Sequence, residues 1–537
     1  MRRGPLSLFF GLLLAPSIAR AQAVVTWGAP PDTPVQPAPA STSPPQPPPA
    51  TIGTPVTGSE SSTPNETEAS APIVRAAGSI GLKYTLEGVE VRGNTSTLTR
   101  VVLRYVPFHA GDVLDVEDPE LEFTRYRLLG TGYFRDAQLS LRKGSRRGSV
   151  ILVVDVVERN TIIVNDVWLG LAEDVDGNGN AQPLSSYGGA QVTETNLAGT
   201  GIALGGAFAV ADQQIGLRAS LADPQFLGSN WIARGELLYN GARAFFGNND
   251  VLLYDPTQQF ADYAVESYQR FGGSLSAGHD LGVSSQIYFN YRLEKIDASY
   301  PLAASDHRGT EVEPIDFLLI RGSSILSTLG TQFVNDTRDD PFLPTQGHRV
   351  DLGFDVSLTP LGSDYPYSKL TVRGSQWFPL SWGHVLELRG FVGAIFGTAP
   401  LFEQFYVGDL SDLLPDRVLD LTFDRRPAPN FLSTDIVEIR YGNYAAKVDA
   451  EYRIPIYRGT RSIYGVDFFS SAGFYGLANE ADFVNPAPGY SGFSTWPIDF
   501  TFNLGLRINT QIGGFVLGTS NLIGLVPLRG TQAGAAR

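Results

Sequence analysis

A chain of 537 residues is long for one small domain and predicts two or more folded units. Its net charge of −15 argues against nucleic-acid binding, which needs a surplus of Lys and Arg, and the absence of Cys excludes disulfide and thiolate chemistry. Charged residues make up only 18% of the chain beside 58 Gly, 22 Tyr and 31 Phe, a composition that suits a large membrane barrel with aromatic girdles or a soluble all-β protein.

Residues 1–23 read as a secretory signal peptide. Arg2 and Arg3 open it, Leu6 to Ile18 is apolar, and small-x-small cleavage sites lie at 19–21 and 21–23. Pro16 breaks the apolar stretch, which is too short to span a bilayer comfortably, and no later apolar run is long enough for a transmembrane helix. Residues 24–80 form a linker rich in Pro, Ser and Thr around PPQPPP. It lacks the apolar side chains for a core and is expected to be disordered.

Residues 81–160 read as a small α/β unit. TLEGVEVRGN alternates as a strand and ends in the turn pair Gly93-Asn94. The stretch 96–114 predicts a helix with Leu98, Val101, Val102 and Tyr105 on one face, and 117–133 predicts a second helix ending at Gly130 and Gly132. AQLSLRKG and SVILVVDVVE then form a hairpin across residues 144–148, which gives the order β-α-α-β-β.

Residues 161–537 read as β throughout. In SQIYFNYRLEKI, Gln286, Asn290, Arg292 and Glu294 alternate with Ile287, Phe289, Tyr291 and Leu293. In AAKVDAEYRIPI, Lys447, Asp449, Glu451 and Arg453 alternate with Val448, Ala450, Tyr452 and Ile454. After the turn NDTRDDPFLPTQG, Val350 to Leu358 shows the same phase. Few helices are predicted to cover the apolar faces. Strands apolar outside and charged inside are what a bilayer-spanning antiparallel barrel needs. About fifteen strands can be counted, and an even number near 16 is expected for closure. Short turns (196–201, 339–347, 511–514) alternate with long polar loops (174–186, 245–264, 298–312, 400–442, 477–496). The last clear strand, FVLGTSNLIGLVPL, is followed by the polar RGTQAGAAR, which predicts a weak closing strand.

The α/β unit, with LLGTGYFRDAQL after its second helix, resembles a POTRA domain. NLAGTG at 196–201, DPQFLG at 223–228, NDTRDDPFLPTQG at 335–347, FYVGD at 405–409, EYRIPI at 451–456 and GLRINTQIG at 505–513 are similar to the BamA/TamA outer-membrane assembly family. The resemblance implies an outer-membrane barrel with its α/β unit in the periplasm. It also implies that the longest loop enters the lumen, where an Arg meets carboxylates of the wall. In this chain that loop is 400–442. The family's Arg-Gly pair is absent; Arg417 lies nearest the expected place, with Arg425 and Arg426 as rivals. The implied wall partners are Glu451, on the matching E-x-R-x-P, and Asp467.

Asp174, Asp176 and Asn178 open a D-x-D-x-N-G pattern like a calcium loop, but Ser185 stands where the bidentate Glu belongs, so a plain Gly-rich loop is the stronger reading. The five His residues pair at no metal-ligand spacing and no catalytic motif appears; neither an enzyme nor a cofactor is expected. The resemblance implies the lipid bilayer, unfolded protein clients and periplasmic proteins as partners, and insertion or translocation of other proteins as the work. One POTRA-like unit suits a specialised factor, because the resemblance implies that the main assembly factors carry several. A passive channel through a polar lumen is the alternative; an adhesive surface protein rests only on the long loops.

Overall fold

The computed structural model describes residues 83–520, apart from 117, 230, 248–250, 254–258, 283, 341–342, 412–416, 429, 460–462, 485–487, 490–491, 493–495 and 511–512. The signal peptide, the linker and the stretch after Ser520 lie outside the described residues.

The N-terminal unit is β1 (Lys83–Arg92), α1 (Thr99–Leu103), β2 (Val113–Asp115), α2 (Pro119–Gly130), β3 (Phe134–Lys143) and β4 (Ser149–Glu158). Its sheet has the order β2-β1-β4-β3, with β1 and β4 parallel and the other pairs antiparallel. Asp118 caps α2 by accepting from the amide of Glu120, with Pro119 in the first turn. Val101, Val102, Leu128 and the inward residues of β4 bury a compact core. The first helix stops at Leu103 rather than running to Leu114, and the short edge strand β2 joins the expected order. Pro107 is the reason, since a helix cannot continue through it. Tyr105 and Phe108 still enter the core, from irregular backbone.

The rest is one large antiparallel sheet with associated loop strands. In chain order these are β5 (Ile162–Val175), β6 (Ala181–Glu194), β7 (Ala203–Ala211), β8 (Gln214–Asp223), β9 (Trp231–Phe246), β10 (Val251–Leu253), β11 (Gln259–Ala261), β12 (Ala264–Asp280) and β13 (Ser285–Ser299). They continue with β14 (Ala304–Arg308), β15 (Glu311–Pro314), β16 (Gly322–Asp336), β17 (Gly347–Ser357), β18 (Tyr367–Pro379), β19 (Val385–Gly397), β20 (Phe405–Tyr406), β21 (Tyr441–Gly442), β22 (Tyr444–Arg458), β23 (Ile463–Ala478), β24 (Ile498–Thr510) and β25 (Gly513–Ser520). Fifteen of them make the main sheet, each paired with its neighbour in sequence; the strands β10, β11, β14 and β15 form a separate small sheet, and β20 pairs with β21. β5 and β25, the two ends of the main sheet, come beside each other, yet among the described residues they share no ladder. The stretch read as a long loop over 174–186 is mostly strand, with only a short turn after Val175.

The expected phase holds. Phe289, Leu293, Val448, Tyr452 and Phe354 are exposed on the outer face, while Lys447, Asp449, Glu451 and Arg453 point inward and are buried. Exposed apolar side chains all round such a sheet need a nonaqueous solvent, and closed antiparallel sheets are the β-structures that meet it.

The N-terminal unit seats on the short-turn end of this sheet. Arg104 and Arg127 both reach the carboxylate of Asp280, at 3.0 and 2.7 Å. Leu98 donates its amide to Gly199 O, and the buried Tyr133 hydroxyl donates to Gly201 O, each at 3.0 Å. Glu158 orders the loop that makes this contact: its carboxylate accepts from the amides of Thr95, Ser96 and Thr97. Partial burial would raise its pKa, but the bonds from Thr95, Thr97 and Ser96 outweigh that and hold it below the usual glutamate range.

Candidate functional site

The loop between β19 and β22 folds into the lumen, as the resemblance implied. Its contacts run around the wall. Arg425 pairs with Glu173 of β5 at 2.7 Å, and Phe423 stacks on Tyr187 of β6 with ring centroids 4.7 Å apart. Gln214 of β8 donates to Thr422 O at 3.0 Å, and Asn240 of β9 donates to Leu419 O at 2.8 Å. Across the junction of β5 and β25, Asp499 of β24 accepts from the amides of Phe431 and Leu432 at 3.1 and 3.0 Å.

The tip is a two-residue hairpin. Val418 and Leu421 exchange backbone hydrogen bonds, and the central Leu419 and Asp420 both have positive φ, 49° and 65°. That backbone favours Asn or Gly and is strained for Leu. Strain of this sort persists only where the surroundings over-determine it, and here they do. Asp420 meets Arg270 at 3.1 Å and Arg218 at 3.4 Å, and both Leu419 and Leu421 are buried. A second loop carboxylate, Glu403, is held by Arg292 and by Lys369, the latter at 3.0 Å. Arg270 also pairs with Glu294 at 2.9 Å and lies over the Phe402 ring, 3.6 Å from its centroid.

Around these charges the loop buries Phe402, Phe405, Tyr406, Leu421 and Phe423 against Tyr268, Ile296 and Phe391 of the wall. The expectation of a wet, charged interior is therefore corrected in this part of the barrel. The loop supplies an apolar core, and the inward charges pair with it or with one another.

The two wall carboxylates, Glu451 and Asp467, are buried, but Arg417 meets neither. Its guanidinium binds Asp409 at 2.7 Å and the carbonyls of Phe402 and Gln404 at 3.0 and 2.8 Å, tying the arms of the loop together. Glu451 is already neutralised by Arg507 at 2.6 Å and Arg389 at 3.1 Å, and Arg389 also binds Asp449 at 2.6 Å. Asp467 is paired with Arg458 and lies 3.9 Å from Arg453. Of the rivals, Arg426 pairs with Asp424 in its own loop at 2.6 Å, whereas Arg425 does reach a wall carboxylate, Glu173 rather than Glu451 or Asp467.

Sequence reasoning missed the cations Arg218, Arg270 and Lys369 and the loop carboxylates Glu403 and Asp420. The alternation of Leu419, Leu421 and Phe423 with Asp420, Thr422 and Asp424 was the available sign that the loop carries apolar side chains to bury. It also took 339–347 for a plain turn. Arg453 reaches from the wall to Pro344 O, so this segment folds back toward the interior, while Gln346 accepts no such role and instead donates to Tyr126 of the N-terminal unit at 3.2 Å.

The calcium pattern is not assembled. Asp174 turns to Arg243 at 3.4 Å, and the Asp176 carboxylate closes its own turn by accepting from the amides of Asn178 and Asn180 at 2.8 and 2.9 Å. Asn178 is exposed. Among the described residues no group of His, Asp and Glu is arranged to hold a metal ion.

This chain is similar to several known proteins. Residues 196–413 match the Omp85 superfamily domain. Among solved structures, CdiB from Escherichia coli is 11% identical and aligns over 80% of this chain and 70% of that one, with a TM-score of 0.50. BamA from Haemophilus ducreyi lacking POTRA domains 1-3 is 16% identical over 81% of this chain and 80% of that one, with a TM-score of 0.42. CdiB from Acinetobacter baumannii is 12% identical over 81% and 74%, with a TM-score of 0.43.

Proposed function

We propose that this chain, an outer-membrane β-barrel of the Omp85 superfamily similar to BamA and TamA, acts by inserting client proteins at the junction of its first and last strands. A general role in protein insertion or translocation follows from the family; the junction is the finer reading. The observation that supports it is that β5 and β25 lie side by side without a ladder among the described residues. Unpaired backbone amides and carbonyls facing lipid are costly, and an incoming client strand relieves that cost by pairing with them. In this reading the N-terminal unit, POTRA-like and periplasmic, receives unfolded clients, and no enzymatic step is involved. The chain divides accordingly into signal peptide 1–23, linker 24–80, POTRA-like unit 81–160 and barrel 161–537.

The alternative of a passive channel is less well supported, because the loop carrying Glu403 and Asp420 occupies the lumen. The test is depletion of the protein followed by quantitative proteomics of the outer membrane. Loss of one or a few other barrels or exported proteins is expected. An unaltered set contradicts the proposal.

A further inference from the structure

The turn between β18 and β19 carries a feature the barrel itself does not need. Trp382 sits at its tip with φ 62° and is 89% exposed. A bulky residue in the left-handed region is a true outlier. The next residue, Gly383, also has positive φ. The turn between β8 and β9 repeats the geometry, with Leu227 at φ 53° and 88% exposed, followed by Gly228. In the turn that the N-terminal unit grips through Gly199, the same position holds the small Ala198, at φ 52°. Strained backbone at two turn tips thus displays large apolar side chains with no protein to cover them.

What lies around Trp382 says what does cover it. Leu370 and Val372 face outward on β18 within the apolar belt, Phe378 keeps that phase near the strand's end, and Leu380 and Trp382 follow just beyond it, all exposed. On β22, paired to β19, exposed Tyr452 and Ile456 extend the patch, and the Tyr452 hydroxyl hydrogen-bonds His384 at 2.6 Å. The patch is therefore continuous with the lipid-facing surface. It is aromatic, with its polar atoms at the rim, which is the chemistry of the boundary between acyl chains and headgroups.

We infer that Trp382, with Phe378, Leu380 and Tyr452, anchors the β18–β19 turn in the lipid interface of the leaflet nearest the N-terminal unit. The N-terminal unit grips the turns after β6 and β12, and the anchor holds a turn on another side of the same rim. The inference rests only on the barrel spanning a membrane; loss of insertion activity has no bearing on it.

The chain has six Trp, so the emission of Trp382 is isolated by subtracting the Trp382→Phe variant from wild type, both reconstituted in lipid vesicles. Trp382→Gly, whose glycine takes the same backbone angle freely, gives the same subtraction if the Phe variant does not fold. The difference emission should be lost in vesicles of lipids brominated near the headgroup end of their acyl chains and should resist aqueous iodide. Quenching by iodide with none by the brominated lipid overturns the inference, and so does quenching by neither, which places the indole against protein.

Discussion

Two clusters of buried charge inside one barrel are built in opposite ways. On β19, β22 and β24 the wall satisfies itself: Arg389 stands opposite Asp449 in register, Glu387 opposite Glu451, and Arg507 closes the group. On β8, β12, β13 and β18 the wall presents Arg218, Arg270, Arg292 and Lys369, and the lumenal loop answers with Asp420 and Glu403. The first arrangement holds strands to strands. The second holds a loop to strands, so it is where the barrel can change state without coming apart.

The sharpest way to break that contrast is Glu451→Ala. It leaves the fully buried Arg389 and the half-buried Arg507 without their shared carboxylate, and should cost about 3–5 kcal/mol of barrel stability, read as a lowered urea midpoint in vesicles. Glu403→Ala should cost less, about 1–3 kcal/mol, because neither Arg292 nor Lys369 is fully buried as Arg389 is. Its main effect should be on the loop: larger and more frequent conductance steps in planar bilayers than wild type. If the Glu451 variant opens the pore and the Glu403 variant unfolds the barrel, the division of labour is reversed.

Arg417→Ala should cost about 1 kcal/mol, since it loosens only the loop's own arms. In a double-mutant cycle with Glu451→Ala the two effects should add, and a clear coupling energy would restore the pairing that the family resemblance implied. The smallest effect concerns the N-terminal unit. The pKa of Glu158 lies below its unfolded value, so the stability it confers is present above the ordinary glutamate pKa and is lost as pH falls through the lowered one. Amide exchange at Thr95–Thr97 should quicken over that acidic interval in wild type, while Glu158→Gln should exchange faster at neutral pH and show little further change.

The contrast also explains what the sequence could and could not reveal. Strand alternation is local, so the outward face and inward charges of β13, β17 and β22 were legible residue by residue. Pairing within the wall follows from register and was half legible: Glu451 was singled out, but its partners Arg389 and Arg507 lie on strands far away in the chain. The fit of the loop was not legible, because Asp420 meets strands 150 and 202 residues away and Glu403 meets Arg292, 111 residues away, as well as the nearer Lys369, and no period links them. Arg417 was misplaced for the same reason. A motif's expected position does not say which carboxylate is nearest, and Asp409 is close along the chain. The Asp174–Asn178 pattern misled because Asp176 is consumed by its own turn.

The central claim is that the tip of the 400–442 loop is seated against β8 inside the barrel. A Cβ built on Gly216 would lie 3.2 Å from the Leu419 Cβ, a few tenths of an ångström inside the usual separation across a disulfide, so a small outward shift allows the bond, and the chain has no cysteine of its own. The Gly216→Cys/Leu419→Cys variant should therefore crosslink under mild oxidation, joining the two peptides after proteolysis and holding bilayer conductance at its low level until reductant is added. Two thiols that remain free to react with a maleimide in the folded barrel would contradict the account.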